Sequence, residues 1–167
     1  MITRFYFYKS VNSYTSVQLD DRFEYFYFIP SLFIRKKHKG LYKQSNLLYL
    51  FWYIFTFGKY KIFYIFDKQT KEIAHFSNIM PKIFKYNFMS QDDLQILHCY
   101  TYKKYRGMRL YSFALSEIQE KFNDKTILIG SKTSNIASLN AIRKSGFKKV
   151  FDVETRTVFG IYYKIDE

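Results

Sequence analysis

Hydrophobic and polar positions give weak or ambiguous patterns in the first third of the chain and clearer ones after it. The segment "ITRFYFYK" (2–9) alternates weakly and is rich in β-forming residues, so it predicts a first strand. The segment "SVQLDDRFEYFYF" (16–28) is compatible with a helix. The segment "SNLLYLFWYIFTF" (45–57) predicts a helix that Ser45 or Asn46 would cap.

The second half of the chain alternates between strand and helix patterns. In chain order, the segments are the hairpin strands around "DKQT", the strand "DDLQILHCYTY", the helix "RGMRLYSFALSEIQEKF", the strand "DKTILIGS", the helix "SNIASLNAIRKSGF", and the paired strands "KKVFDVET" and "RTVFGIYYKI". This order predicts a mixed α/β sheet rather than a bundle or a solenoid. With no repeat and no long linker, residues 1–167 are expected to form a single domain.

Net charge, cysteine content and the length of the apolar stretch bear on the partners and the cellular location of the protein. The net charge of +13 favours anionic partners such as nucleic acid, acidic lipid or phosphorylated cofactors. The basic run "IRKKHKG" (34–40), which contains His38, predicts a solvated loop. A single cysteine, Cys99, excludes an internal disulfide and fits a cytoplasmic setting. The apolar stretch 47–57 is too short to cross a bilayer, which takes about 20 residues.

A basic, glycine-bearing turn leads directly into a helix in "YRGMRLYSFALSEI" (105–118). A helix N-terminus carries unpaired N–H groups and a partial positive charge, so it attracts pyrophosphate. A small residue such as Gly107 lets the backbone approach the anion. An ordinary cationic loop also explains this segment when it is taken alone.

A second motif, "NIASLNAIRKSGF" (135–147), follows the first after one short strand. Together the two motifs resemble the GCN5-related N-acetyltransferase (GNAT) superfamily. The resemblance implies a mostly antiparallel, twisted α/β sheet with helices on both faces and splayed central strands. It also implies acetyl-CoA as the cofactor. The implied cofactor-binding residues are Cys99, Thr101, Arg106, Gly107, Met108, Arg109, Leu110, Tyr111, Asn135 and Ser138.

Three positions depart from the family pattern. The two motif glycines fall on Arg109 and Tyr111, and the general-acid tyrosine of many members falls on Ile142. Arg109 would either narrow the phosphate cradle or add a cation to it.

A looser resemblance begins at "HFSNIMPKIFKYNFM" (75–89) and continues through "DDLQI", "CYT" and "YRG". These segments are similar to small acetyltransferases of bacterial surface-polysaccharide biosynthesis loci, which implies an amino sugar on a nucleotide carrier as the acceptor. The alternatives are a protein or peptide amine, a basic nucleic-acid-binding module, and a GNAT-fold module without catalysis. A homodimer is compatible with the sequence.

Acyl transfer to an amine needs a fixed donor, a polarised carbonyl and a neutral amine. The resemblance implies that the backbone at Cys99 and Thr101 holds the pantetheine arm and that the Cys99 N–H polarises the carbonyl; the Cys99 thiol is expected to be structural. His75 and His98 are the candidate bases, because imidazole titrates near neutrality and neighbouring strands would bring both near one cleft. One cysteine and three histidines give no recognisable metal-ligand set.

Overall fold

The computed structural model describes residues 2–11, 17–31, 46–83, 85–156 and 162–165. The strands are β1 (Ile2–Lys9), β2 (Phe23–Phe28), β3 (Lys61–Asp67), β4 (Glu72–Pro81), β5 (Leu94–Thr101), β6 (Ile127–Lys132), β7 (Lys148–Arg156) and β8 (Tyr162–Ile165). The helices are α1 (Asn46–Phe55), α2 (Leu110–Lys121) and α3 (Ile136–Lys144), and a 3-10 turn covers Lys103–Tyr105.

The described strands form one sheet of eight in the order β2-β3-β4-β5-β6-β1-β7-β8. Among these strands only β5 and β6 pair in parallel, and all other neighbours are antiparallel. The crossover between β5 and β6 is α2, because a parallel pair needs a long connection that a tight turn cannot provide. The mixed, mostly antiparallel α/β sheet predicted from the sequence is confirmed.

Both faces of the sheet are covered. Phe63 and Ile65 of β3 pack in a core with Leu115 of α2, whereas Tyr64 packs in a second core with Tyr49 of α1. Successive strand residues point to opposite faces, so a strand covered on both sides is apolar at nearly every position. The helices α2 and α3 therefore lie on one face and α1 on the other.

One element prediction is wrong and the others that fall on described residues are confirmed. The segment that was compatible with a helix, 16–28, contains strand β2, which pairs with β3 from Phe23 to Phe28. Aromatic contacts across the strands favour this pairing, because Tyr25 stacks on Phe63 and Tyr27 packs edge-on against the same ring. The helix predicted over 45–57 is α1; its proposed cap Ser45 and the basic run with His38 lie outside the described residues.

The first strand lies inside the sheet, not at its edge. Strand β1 is antiparallel to β6 on one side and to β7 on the other. Gly130 of β6 permits this packing, since a Cβ at that position would lie 2.7 Å from the ring of Phe7. In the described part of the chain, no helix is long and apolar enough to cross a membrane.

Candidate active site

Strands β5 and β6 separate halfway along their length. Leu94, Gln95 and Ile96 pair with β6, and within the described residues the pairing ends there. Strand β5 nevertheless continues to Thr101, because β4 still supports it on its other edge. The backbone edge of β5 from 97 to 101 therefore faces a gap between the two strands, and the splayed strands expected from the family resemblance are present.

A β-bulge lies at the point where the strands separate. Phe76 pairs with Tyr100 but Asn78 pairs with Leu97, so His98 and Cys99 together oppose one residue of β4. His98 has a φ of 50°, which few non-glycine residues adopt. A bulge bends its strand and redirects side chains, and bulges are common beside active sites. Here it lies just beyond Ile96, the last residue of β5 that pairs with β6.

A cleft of about 570 Å³ occupies the gap, and we call it the splay cleft. Its volume lies within the range of about 300–1,000 Å³ usual for small-molecule sites. Its lining residues are His75, Cys99, Tyr100, Thr101, Tyr105, Arg106, Gly107, Arg109, Leu110, Tyr111, Ser112, Asn135, Ala137 and Ser138. The cleft thus connects the bulge on β5 with the N-termini of α2 and α3.

The N-terminus of α2 is open towards the cleft. Arg109 occupies the capping position with a φ of 57°, and in the described structure its side chain makes no capping hydrogen bond. The first N–H groups of a helix have no partner within the helix, so they remain suited to an anion. Gly107 reaches a φ of 88° in the preceding turn, which explains why a glycine occurs there.

Two exposed arginines lie at this end of the cleft. The Nε of Arg106 donates a hydrogen bond to the carbonyl oxygen of Thr101 at 3.2 Å, and its guanidinium lies 5.8 Å from the ring centre of Tyr100. Arg109 lines the cleft with an exposed side chain. The second arginine therefore adds a cation at the mouth.

The N-terminus of α3 forms the opposite wall. The side chain of Asn135 accepts a hydrogen bond from the backbone N–H of Ser138 at 3.2 Å, so it caps the helix. The Ser138 hydroxyl lies 3.4 Å from the hydroxyl of Tyr111 on α2. Burial raises the pKa of Tyr111 well above its usual value, so the phenol stays protonated. Tyr111 therefore bridges the two helices across the cleft.

His75 lies in the wall of the cleft as a neutral imidazole. Its Nδ1 is 2.7 Å from the hydroxyl of Thr101 and its Nε2 is 2.8 Å from the hydroxyl of Ser77. Burial lowers the pKa of His75 to about 3. With both ring nitrogens occupied and the charged form disfavoured, His75 is better suited to positioning Thr101 than to taking a proton at neutral pH.

His98 lies on the other face of the sheet. Its Nδ1 is 3.4 Å from the side-chain nitrogen of Asn78, and it is not among the described residues that line the splay cleft. The expectation that both histidines share one cleft is therefore wrong. Cys99 packs against the core on the α2 side, whereas His98, in the bulge just before it, lies beside Asn78. His98 is exposed, and partial desolvation followed by the charge of Lys85 holds its pKa below the ordinary value.

The thiol of Cys99 lies on the α2 side of the sheet and is largely buried. Burial raises the pKa of Cys99 to about 11. The thiolate is the nucleophilic form of cysteine, so a thiol that stays protonated is a poor nucleophile at neutral pH.

Most residues expected to bind the cofactor converge on the cleft. Met108 is the exception, since it is exposed and does not line the cavity. Sequence reasoning missed Tyr105, Ser112 and Ala137 as lining residues, although all three lie inside or next to the two motifs. In the described ranges, no three His, Cys, Asp or Glu side chains are grouped to hold a metal ion.

Comparison with known proteins supports the fold. No family model and no curated protein matches the sequence. Among solved structures, a GNAT-family acetyltransferase from Novosphingobium aromaticivorans superposes with a TM-score of 0.58 at 8% identity, covering 92% of this chain and 63% of its own. A GNAT-family acetyltransferase from Colwellia psychrerythraea gives 0.59 at 9% identity, covering 99% and 57%.

A third structure, a GCN5-related N-acetyltransferase-like protein from Streptococcus suis, gives a TM-score of 0.55 at 12% identity, covering 98% of this chain and 63% of its own. The chain therefore has the GNAT fold. It spans roughly three fifths of the length of these three proteins.

Proposed function

We propose that this protein is an acetyl-CoA-dependent N-acetyltransferase that transfers an acetyl group directly to an amine. One observation carries the proposal: the splay cleft joins the open, cationic N-terminus of α2 to the bulge on β5. A cofactor with a pyrophosphate at one end and a reactive thioester at the other fits a cleft with this arrangement of groups.

The residues present suit coenzyme A. The first-turn N–H groups of α2, with Arg106 and Arg109, would hold the pyrophosphate by charge-assisted hydrogen bonds. The exposed backbone edge of β5 at Cys99 and Thr101 would pair with the amide groups of the pantetheine arm, as an added strand does. When bound, acetyl-CoA supplies an activated acetyl thioester at the bulge.

The backbone N–H of Cys99 is the proposed donor to the acyl oxygen. Such a donor, fixed before the reaction, stabilises developing negative charge by about 2.7–4 kcal/mol in other enzymes. Tyr111 lines the same cleft and remains protonated, so its phenol is a proposed proton donor there.

We assign the role of general base to His98 rather than to His75. An amine substrate arrives largely as an ammonium and must lose a proton before attack. His98 is exposed beside the bulge, on the face of the sheet opposite to His75, and its lowered pKa keeps it neutral at physiological pH. In this proposal the amine approaches the thioester at the bulge from the His98 face, so that the imidazole can accept its proton. His75 keeps both ring nitrogens in hydrogen bonds and retains its positioning role.

The acceptor we propose is an amino sugar on a nucleotide carrier. The sequence resemblance from His75 onward motivates this choice, and the net charge of +13 favours a diphosphate-bearing substrate. A protein or peptide amine is the second candidate. His98 and Tyr100 of β5 are exposed, so the face proposed to receive the amine has room for a larger substrate.

Two measurements test the proposal. Calorimetry with coenzyme A should show binding to the wild-type protein. Release of free coenzyme A from acetyl-CoA should then depend on an added amine, tested with UDP-, dTDP- and GDP-linked amino sugars and, as a comparison, with lysine-containing peptides. If coenzyme A is released with the peptides and not with the sugars, the acceptor is a protein or peptide amine and the amino-sugar proposal is wrong.

The remaining outcomes separate the other readings. Binding of coenzyme A without any turnover would identify a GNAT-fold module without catalysis. Absence of coenzyme A binding, with salt-dependent binding of single-stranded nucleic acid, would replace the proposal by a nucleic-acid-binding function.

A further inference from the structure

A fully buried carboxylate lies at the end of β3, close to the loop that leads into α2. Asp67 accepts hydrogen bonds from the guanidinium of Arg22, with distances of 3.0 Å from Nε and 2.5 Å from the second nitrogen. It also accepts from the backbone N–H of Gln69 at 2.9 Å and from the hydroxyl of Thr70 at 2.8 Å. A buried charge needs such partners, and these belong to the β3–β4 turn and to the segment before β2.

The last partner of Asp67 comes from the loop itself. The hydroxyl of Tyr105 donates to Asp67 at 3.0 Å and lies 2.7 Å from the hydroxyl of Thr70. Tyr105 directly precedes Arg106 and Gly107. Its aromatic ring lies in the core, so both the ring and the hydroxyl are held by the body of the protein.

This contact is the buried attachment of the loop, and an exposed ion pair between Lys104 and Glu72 is a second one. Of residues 103–109, all of which the structure describes, Tyr105 alone is buried. The backbone of Tyr105 also contacts the rest of the loop, since the N–H of Met108 donates to the carbonyl oxygen of Tyr105 at 3.4 Å. The guanidinium of Arg106 is fixed separately, through the carbonyl of Thr101.

We propose that Asp67, Thr70 and Tyr105 are positioning residues for the anion-binding loop at the mouth of α2. They hold the backbone of 106–109 where its N–H groups and arginines face the splay cleft, although Asp67 and Thr70 do not line that cleft. This inference rests on the proposed function, because the anion it concerns is the pyrophosphate of coenzyme A. Donors that are already fixed in the free protein bind an anion more tightly than mobile ones, because less conformational entropy of the loop is lost on binding.

Tyr105→Phe tests the inference because it removes one hydroxyl and keeps the buried ring. Tyr8→Phe is the matched control: Tyr8 is also fully buried, and its hydroxyl accepts a bond from Arg143 at 3.2 Å, away from the loop. We expect Tyr105→Phe to raise the Kd for coenzyme A about five- to tenfold, the scale of one hydrogen bond, and Tyr8→Phe to leave it unchanged. The KM for acetyl-CoA should rise with kcat nearly constant.

Two further readouts complete the test. Thr70→Val should raise the Kd in the same direction, which covers the case in which Tyr105→Phe folds poorly. Amide hydrogen exchange at 106–109 should be faster in Tyr105→Phe than in the wild type or Tyr8→Phe, with no ligand present. Equal coenzyme A affinity and equal exchange in Tyr105→Phe and Tyr8→Phe would overturn the inference. If the wild type itself fails to bind coenzyme A, the proposed function fails, and the exchange measurement still decides whether the network holds the loop.

Discussion

In the variant His75→Gln, the free energy of unfolding should fall less on acidification than in the wild type. Burial lowers the pKa of His75 to about 3, whereas an imidazole in the unfolded chain titrates at about 6.5. Between these two values the unfolded chain binds one more proton than the native protein. The free energy of unfolding therefore falls as the pH falls through this window, by about 1.4 kcal/mol per pH unit.

The size of the effect follows from the two pKa values. Between about pH 7 and about pH 4.5, this linkage lowers the free energy of unfolding by about 2.5 kcal/mol. That is a large part of the roughly 5–15 kcal/mol of a typical domain. Glutamine stays neutral over the whole range, and its amide can both donate to and accept from Thr101 and Ser77. The variant therefore removes the linkage and leaves the other titrating groups in place.

Denaturant unfolding followed by circular dichroism at the two pH values measures the difference. The wild type should lose about 2.5 kcal/mol more than His75→Gln on acidification. His98→Gln is the control, because its imidazole is exposed and should change the profile less. Equal losses in the wild type and His75→Gln would show that His75 protonates readily in the native protein, and its role as a base would have to be reconsidered.

Four further outcomes follow from the site. Arg106→Ala should weaken coenzyme A binding by about 1–3 kcal/mol in calorimetry, and unchanged binding would contradict the placement of the pyrophosphate. Arg109→Gly should raise the stability by about 0.5–1 kcal/mol because Arg109 has a φ of 57°; a lower Tm would refute this strain. Gly107→Ala should cost about 1 kcal/mol through its φ of 88° alone, since an added Cβ meets no atom within 4 Å. His98→Gln should lower the rate about 10²–10⁴-fold and abolish an acid limb lying below about pH 6.5, and a retained limb would exclude His98 as the base.

The two motifs contain most of the residues that line the splay cleft, and their local geometry could be predicted because its physics is local. A helix N-terminus, a glycine with positive φ and an asparagine cap depend on neighbours within a few residues, so Gly107 and Asn135 could be assigned from the sequence. The buried hydrogen-bond network of Asp67, Thr70 and Tyr105 could not be predicted from the sequence. Asp67 and Tyr105 are separated by a hairpin strand, a loop and β5, and nothing in the residues around either one indicates the other.

The sequence by itself determined the order of strands and helices in the second half and the cationic start of α2, because periodicity and local charge are properties of short segments. The tertiary structure decided three other matters. It turned 16–28 into a strand through cross-strand aromatic contacts, it inserted β1 between β6 and β7, and it directed His75 into the cleft wall and His98 to the opposite face. Each of these outcomes depends on strand pairing over long distances and on a one-residue bulge, and a shift of one residue moves every following side chain to the other face of a sheet.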